Sequence, residues 1–183
     1  VAGLFFLTTA GALLYHFLNK PHPEPRRVVW STMLPPPHSN FNVQVGGHIA
    51  ISPNGRSVAF VATDSAGANN VWVRPVASLT AIQLPGTKDA QYPFWSPDSR
   101  TVAFFSGGKL KKIDAAGGPT LTICDAVDGR GGTWNAEGII VFSPESSGLL
   151  WKVSAAGGIP APLTKIDSSA KVMNHRWPHF LPD

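Results

Sequence analysis

Ile49-Ala-Ile-Ser-Pro-Asn-Gly-Arg-Ser-Val-Ala-Phe60 and Phe94-Trp-Ser-Pro-Asp-Ser-Arg-Thr-Val-Ala-Phe104 carry one pattern twice: apolar residues, a Pro-Asn or Pro-Asp turn, then a Val-Ala-Phe run. Thr133-Trp-Asn-Ala-Glu-Gly-Ile-Ile-Val-Phe142 is a third copy, shorter by one residue in the turn and lacking its proline. His179-Phe-Leu-Pro-Asp183 opens a fourth. With Ile51, Trp95, Trp134 and Phe180 as equivalents, successive copies lie 44, 39 and 46 residues apart. A period of about 40–45 residues holding several short strands marks the blades of a β-propeller.

Within each copy the turn residues explain the chain reversal. Pro53 and Pro97 preset φ at about −65°, while Asn54, Gly55 and Asp98 tolerate the left-handed region that a tight turn demands; Pro182 and Asp183 stand in the same places in the fourth copy. A β-branched and aromatic run follows (57–61, 101–105, 139–142), then a third strand (71–73, 110–113, 150–153) and a short fourth (81–84, 120–123, 161–164). Each unit is thus a small four-stranded sheet that cannot cover both its faces alone, and stacking on neighbours covers them. Trp72, Trp95, Trp134 and Trp151 recur at structural positions of the repeat and are expected to pack between blades. The predicted fold is all-β: an incomplete propeller of about three blades (41–85, 86–124, 125–165) and the start of a fourth (166–183).

Outside the repeat, Val1–Leu18 (VAGLFFLTTAGALLYHFL) has no Asp, Glu, Lys or Arg. As a helix it would be about 27 Å long, close to the ~30 Å hydrocarbon core of a bilayer. It is apolar all round, lacks the basic n-region and cleavage site of a signal peptide, and ends at Lys20 before Pro21, Pro23 and Pro25. A transmembrane helix over 1–18 and a Pro-rich juxtamembrane linker over 19–40 are therefore predicted, anchoring the protein in the membrane by a single pass. The charges on the flank after the segment, without those before it, leave orientation undecided. A chain that opens on Val and stops inside a turn motif is expected to continue in both directions.

Composition narrows the function. Hydrophobic residues make up 43% and charged residues 14%, which excludes a disordered, charge-rich chain. The net charge is +4, but the basic residues are scattered. The one cluster, Lys109, Lys111 and Lys112, cannot all point one way from a strand, so no nucleic-acid partner is expected. Cys124 is the single cysteine; it allows no internal disulfide and reads as a small buried apolar residue. His175 and His179 have the spacing of a helical zinc pair, yet Pro178 places them in loop and strand, and no metal site is expected. Gly129-Arg-Gly-Gly132 could form an anion-binding nest, but its place before a first strand favours a turn. No Gly-x-Ser-x-Gly elbow and no calcium loop is present, and no catalytic residue or cofactor is predicted.

Trp95-Ser-Pro-Asp98 with Val102-Ala-Phe104, and Ser52-Pro-Asn-Gly55 with Val58-Ala-Phe60, resemble the TolB-like propeller repeat, also known as the WD40-like Pro-Asp-Gly repeat. The likeness covers about 41–183, with Asn135-Ala-Glu-Gly138 departing from it. The order of the apolar segment, the Pro-rich stretch, Val73-Arg-Pro-Val76, Gly107-Gly-Lys-Leu-Lys-Lys-Ile113, Gly129-Arg-Gly-Gly-Thr-Trp134 and His175-Arg-Trp-Pro178 also resembles the C-terminal halves of bacterial membrane-anchored, eukaryote-like serine/threonine kinases. That resemblance implies a propeller outside the cytoplasm that senses a protein, peptide, glycan or small ligand for a kinase domain. The kinase loops themselves are absent from this chain. A TolB-like interaction scaffold and the propeller of a prolyl-oligopeptidase-type peptidase are the competing expectations.

Overall fold

The computed structural model describes residues 32–41, 49–166, 169 and 174–181. The predicted membrane helix over 1–18, and the turn residues Pro182 and Asp183, lie outside the described residues. Among the described residues no helix is long and apolar enough to cross a membrane.

Three antiparallel sheets follow one another along the chain. The first contains β1 (Ser39–Phe41), β2 (Ile49–Ile51), β3 (Ser57–Asp64), β4 (Asn69–Pro75) and β5 (Ile82–Gln83). The second is β6 (Gln91–Trp95), β7 (Thr101–Ser106), β8 (Lys109–Asp114) and β9 (Leu121–Asp125); the third is β10 (Gly132–Trp134), β11 (Ile139–Phe142), β12 (Trp151–Ser154) and β13 (Ala161–Pro162). The second and third are meanders in sequence order, and the three sheets correspond to the three complete repeat units. Blade one has a feature the repeat did not announce. Both β1 and β2 pair with β3, Phe41 opposite Ala62 and Ile49 opposite Phe60, so its inner strand is split in two. β1 begins at Ser39, inside the stretch read as linker.

The turn motif is held by its serine. In the second blade the buried Ser96 hydroxyl donates to Asp98 Oδ1 at 2.6 Å and accepts from the Thr101 N–H at 2.9 Å. The Arg100 N–H donates to the same carboxylate oxygen at 3.1 Å. These bonds hold the Asp98 carboxyl below the usual carboxylate range, the Ser96 hydroxyl being the largest cause. Ser52 and Asn54 repeat the arrangement in blade one, at 2.7 Å between hydroxyl and amide oxygen. In the shorter third turn Asn135 does it alone, its Oδ1 accepting from the Ile139 N–H at 2.8 Å. The last turn residue is left-handed in each case, at φ 68° for Gly55, 62° for Ser99 and 76° for Gly138.

Strand alternation divides the core into layers. Ala59, Val71 and Val73 of blade one meet Trp95, Val102, Phe104 and Ile113 of blade two. The opposite face of blade two sends Phe94, Ala103, Phe105 and Leu110 against Ile140, Phe142 and Val153 of blade three. Trp95 belongs to the first interface, and Trp134 and Trp151 pack against the second. Trp72 is different. It pairs with Phe60 as Trp151 pairs with Phe142, and that repeat position faces the preceding blade. Among the described residues blade one has no such neighbour, so Trp72 lies with Met33, Phe41, Val76 and Ala81 over Val58, Phe60 and Ala62. In the described residues Trp72 packs on this layer, and its Nε1 is buried without a hydrogen-bond partner among them.

Residues 174–181 hold an isolated bridge, Asn174 to Gly148, and no named strand; the rest of the predicted fourth unit (166–183) lies in large part outside the described residues. Residues 174–181 run alongside blade three: the His175 N–H donates to Gly148 O at 2.9 Å and the Trp177 N–H to Arg130 O at 3.2 Å. The Phe180 N–H donates to Thr133 Oγ1 at 3.2 Å. With ladder bonds this sparse, the segment occupies the place of an inner strand without the regular pairing of one.

Candidate functional site

β2 and β10 both pack against β6, which sets the inner strands of the three blades side by side. Strands in a meander bury their faces between blades, but the inner edge has no further strand to pair with. Along that edge lies a cleft of about 630 Å³, lined chiefly by Ile49, Ile51, Trp95, Trp134, Phe180 and Leu181. Ile51 is 67% exposed and Leu181 83%, a large apolar surface for side chains of this size. Its walls are braced across blades. The Trp95 Nε1–H donates to Ala50 O at 3.0 Å, and the Asn54 N–H donates to Ser99 Oγ at 3.1 Å.

The repeat-turn residues frame this cleft. Pro53 and Pro97 line it, while Pro97 and Asp98 also border a smaller groove of about 210 Å³ with Trp134 and Asn135. Gly55 sits in the same turn as Pro53 with no heavy atom in reach of an added Cβ. Of the four tryptophans expected between blades, Trp95 and Trp134 reach the cleft, whereas Trp151 lines a separate hollow of about 270 Å³ between blades two and three.

At the other end of the inner strands a hollow of about 170 Å³ is shared by Ile49, Tyr92, Phe94, Gly131, Gly132 and Trp177. Here the glycine-rich stretch shows its purpose. A Cβ on Gly132 would stand 2.7 Å from the Phe94 ring, and one on Gly129 would enter the Phe105 ring. The glycines therefore admit aromatic rings of blade two. The Arg130 N–H donates to Ser143 O at 3.0 Å and the Asp128 N–H to Pro144 O at 3.0 Å, so these two amides extend the β10–β11 pairing and are not free for an anion. The Arg130 guanidinium lies 5.8 Å from the Tyr92 ring centre and pairs with Asp128 at 2.9 Å.

The remaining candidates have structural partners. Lys112 Nζ donates to Ala155 O at 2.7 Å across the blade interface, and Lys109 pairs with Asp125 at 2.6 Å. The lysine cluster is thus dispersed over different partners. Thr164 Oγ1 and His175 Nδ1 are hydrogen-bonded at 2.8 Å, while His179 lines the main cleft. Among the described residues no three His, Cys, Asp or Glu side chains gather as a metal site requires. Cys124 is buried, and desolvation, with the Asp125 charge second, pushes its thiol up to about 11. A thiol held neutral in that way is a poor nucleophile. The sequence reading missed Ile49, Ile51, Tyr92 and Trp177; the Ile-Ala-Ile alternation at 49–51 was the available signal for the first two.

Stacked antiparallel sheets with their inner strands lining one edge define the architecture, and a solved structure matches it. A TolB from Agrobacterium tumefaciens aligns over 62% of this chain and 47% of its own, at 18% identity and a TM-score of 0.51. The fold is that of part of a β-propeller. The propeller domain of the Trilobed protease from Pyrococcus furiosus aligns over 62% of this chain and 41% of its own (16% identity, TM-score 0.48). TolB from Acinetobacter baumannii aligns over 73% and 45% (14% identity, TM-score 0.41). The chain spans less than half the length of these three structures. No protein-family model and no curated protein matches the sequence.

Proposed function

We propose that this chain is a non-catalytic recognition propeller of a membrane-anchored protein, and that its inner-strand cleft receives an extended apolar polypeptide segment. The observation that carries the reading is the exposed lining of Ile49, Ile51, Phe180 and Leu181 beside the open edge of the inner strands. An extended peptide suits such a place because it can satisfy free strand-edge groups while its side chains cover apolar wall. Selection of random peptides on the immobilised chain tests this. Enriched apolar peptides should bind the wild type and fail on Ile51→Lys. Enrichment of charged peptides, or binding indifferent to Ile51→Lys, would refute it.

The sensor form of the proposal places the protein in the cell membrane through residues 1–18, with the propeller outside the cytoplasm and a serine/threonine kinase domain on the other side. The order of sequence motifs from the apolar segment to His175-Arg-Trp-Pro178 supports it. Sequencing the gene upstream tests it: a glycine-rich loop and His-Arg-Asp are expected, and a short leader with an initiator Met would leave a TolB-like scaffold instead.

A further inference from the structure

We infer that the groove between the turns of blades two and three takes a basic side chain, arginine best, from the peptide whose apolar residues lie in the inner-strand cleft, with Asp98 and Trp134 as its walls. The inference rests on the cleft reading above and specifies its ligand. It begins with what lines the two spaces. The main cleft is walled by aliphatic, aromatic, proline and glycine residues with Thr133, and His179 is the titratable side chain among them. The groove of about 210 Å³ adds Ser96, Asp98, Thr101 and Asn135. Asp98 is thus the one carboxylate lining either space. Pro97 and Trp134 line both, so a chain in the cleft can send a side chain past the indole into the groove. The groove is smaller than the ~300 Å³ at which small-molecule pockets begin, a size that suits one side chain.

Asp98 presents its charge in a fixed place. The Ser96 hydroxyl donates to it at 2.6 Å and the Arg100 N–H at 3.1 Å, both to Oδ1. The side chain stays exposed, and these bonds hold its carboxyl below the ordinary range, so it is ionised at neutral pH. Arg100, whose charge lowers the carboxyl further, lines neither space. The repeat shows that the turn itself closes without an acid. In blade one Asn54 Oδ1 accepts from the Ser52 hydroxyl at 2.7 Å and from the Arg56 N–H at 2.9 Å, the same two bonds made to a neutral residue. In blade three Asn135 closes the turn. The charge at position 98 therefore distinguishes the groove and is not required by the turn.

Trp134 supplies the other wall. Its ring is half-buried and packs against the core between blades two and three, which fixes it in place. A cation over an indole face is attracted by the ring quadrupole, and a planar guanidinium both stacks on the ring and bonds a carboxylate. An acidic side chain in the groove would meet like charge, and a neutral one would leave the carboxylate unmatched. The surface thus selects an apolar run with a basic residue beside it.

The test uses the full chain and fluorescence anisotropy. Two fluorescein-labelled, amidated probes, Gly-Ala-Leu-Phe-Val-Arg-Gly and Gly-Arg-Val-Phe-Leu-Ala-Gly, place the arginine at either end of the apolar run. Each is compared with the same peptide carrying citrulline, which keeps the shape and removes the charge. In at least one direction the arginine probe should bind at least about ten-fold more tightly, the scale of a hydrogen bond to a charged group. Asp98→Asn, which gives the turn of blade two the residue found in blade one, should abolish that preference, with thermal melts showing that the variant is folded at the assay temperature. Glu137→Gln, a neighbouring exposed acid that lines neither space, should leave the preference intact. Equal binding of arginine and citrulline probes in both directions would overturn the site. So would a preference that survives Asp98→Asn or that falls as far on Glu137→Gln. If arginine and citrulline probes bind equally and lose binding on Ile51→Lys, the cleft reading stands and the basic subsite falls. If no probe binds, both fall.

Discussion

Gly129→Ala tests the packing of blade two on blade three with a single methyl group. Gly129 precedes β10, and a Cβ built on it falls within the ring of Phe105. That ring is 4% exposed and cannot swing aside, because Phe94 and Phe142 flank it at centroid distances of 6.2 and 6.4 Å. Gly129 has no positive φ, so the substitution carries steric conflict without backbone strain. Overpacking of this kind costs about 1–3 kcal/mol. Against it stands the reduced freedom of the unfolded chain, which returns about 0.4–1 kcal/mol. Since the methyl group meets the ring itself, the upper half of the steric range applies, and a net loss of about 1–2 kcal/mol is expected. For a domain of this size that lowers the melting temperature by about 2–8 °C. The assay is thermal unfolding followed by tryptophan fluorescence, on wild type, Gly129→Ala, Phe105→Ala and the double variant. Ala at 105 removes the Cγ, Cδ1 and Cε1 atoms that the methyl group would strike, so the double variant should be more stable than the two single losses added together. A Gly129→Ala protein that melts with the wild type, or strict additivity in the cycle, would refute the account of this glycine.

Three further outcomes follow from the turns and the buried thiol. Ser96→Ala removes the hydroxyl that joins Asp98 to the Thr101 N–H and should destabilise by about 1–2 kcal/mol in urea unfolding; a loss no larger than at an exposed serine would refute its role as the hub of the turn. Because the folded Asp98 carboxyl titrates below its ordinary range, it contributes stability that is fully present above about pH 4 and is lost as pH falls through the lowered folded value. Asp98→Asn should therefore flatten the acid limb of the stability profile, and identical limbs for the two proteins would count against the hydrogen-bonded carboxylate. Cys124, pushed up to about 11, should react with a thiol reagent at pH 8 at least ~100-fold more slowly in the native protein than after denaturation; equal rates would place it outside the core.

Much of the blade architecture was legible because it is local. The strands after each turn and the glycines that close the turns depend on residues a few positions apart, where φ preferences and alternation act directly. The observed β3, β7 and β11 begin within the runs read from Val58-Ala-Phe60, Val102-Ala-Phe104 and Ile139-Ile-Val-Phe142. The serine in the turn was quoted in the motif, but its role as a hydrogen-bonding hub was not, since burial of Ser96 depends on the neighbouring strands. The cleft was less legible still. Trp134 was assigned wholly to packing, yet it serves both the interface core and the cleft wall.

The sequence by itself determined the period, the four strands of blades two and three and the turn chemistry, because each is written within one repeat. Tertiary structure decided which face of a blade each aromatic covers. Trp72 and Trp151 hold the same place in their strands, but only Trp151 finds a described blade in front of it. It likewise decided that the exposed isoleucines of β2 share one cleft with Phe180, about 130 residues away, and that Arg130 both pairs with Asp128 and lies over the Tyr92 ring. A repeat dictates what each unit can offer its neighbours. Which offers are taken up depends on the units that stand beside it, and that is a property of the stack.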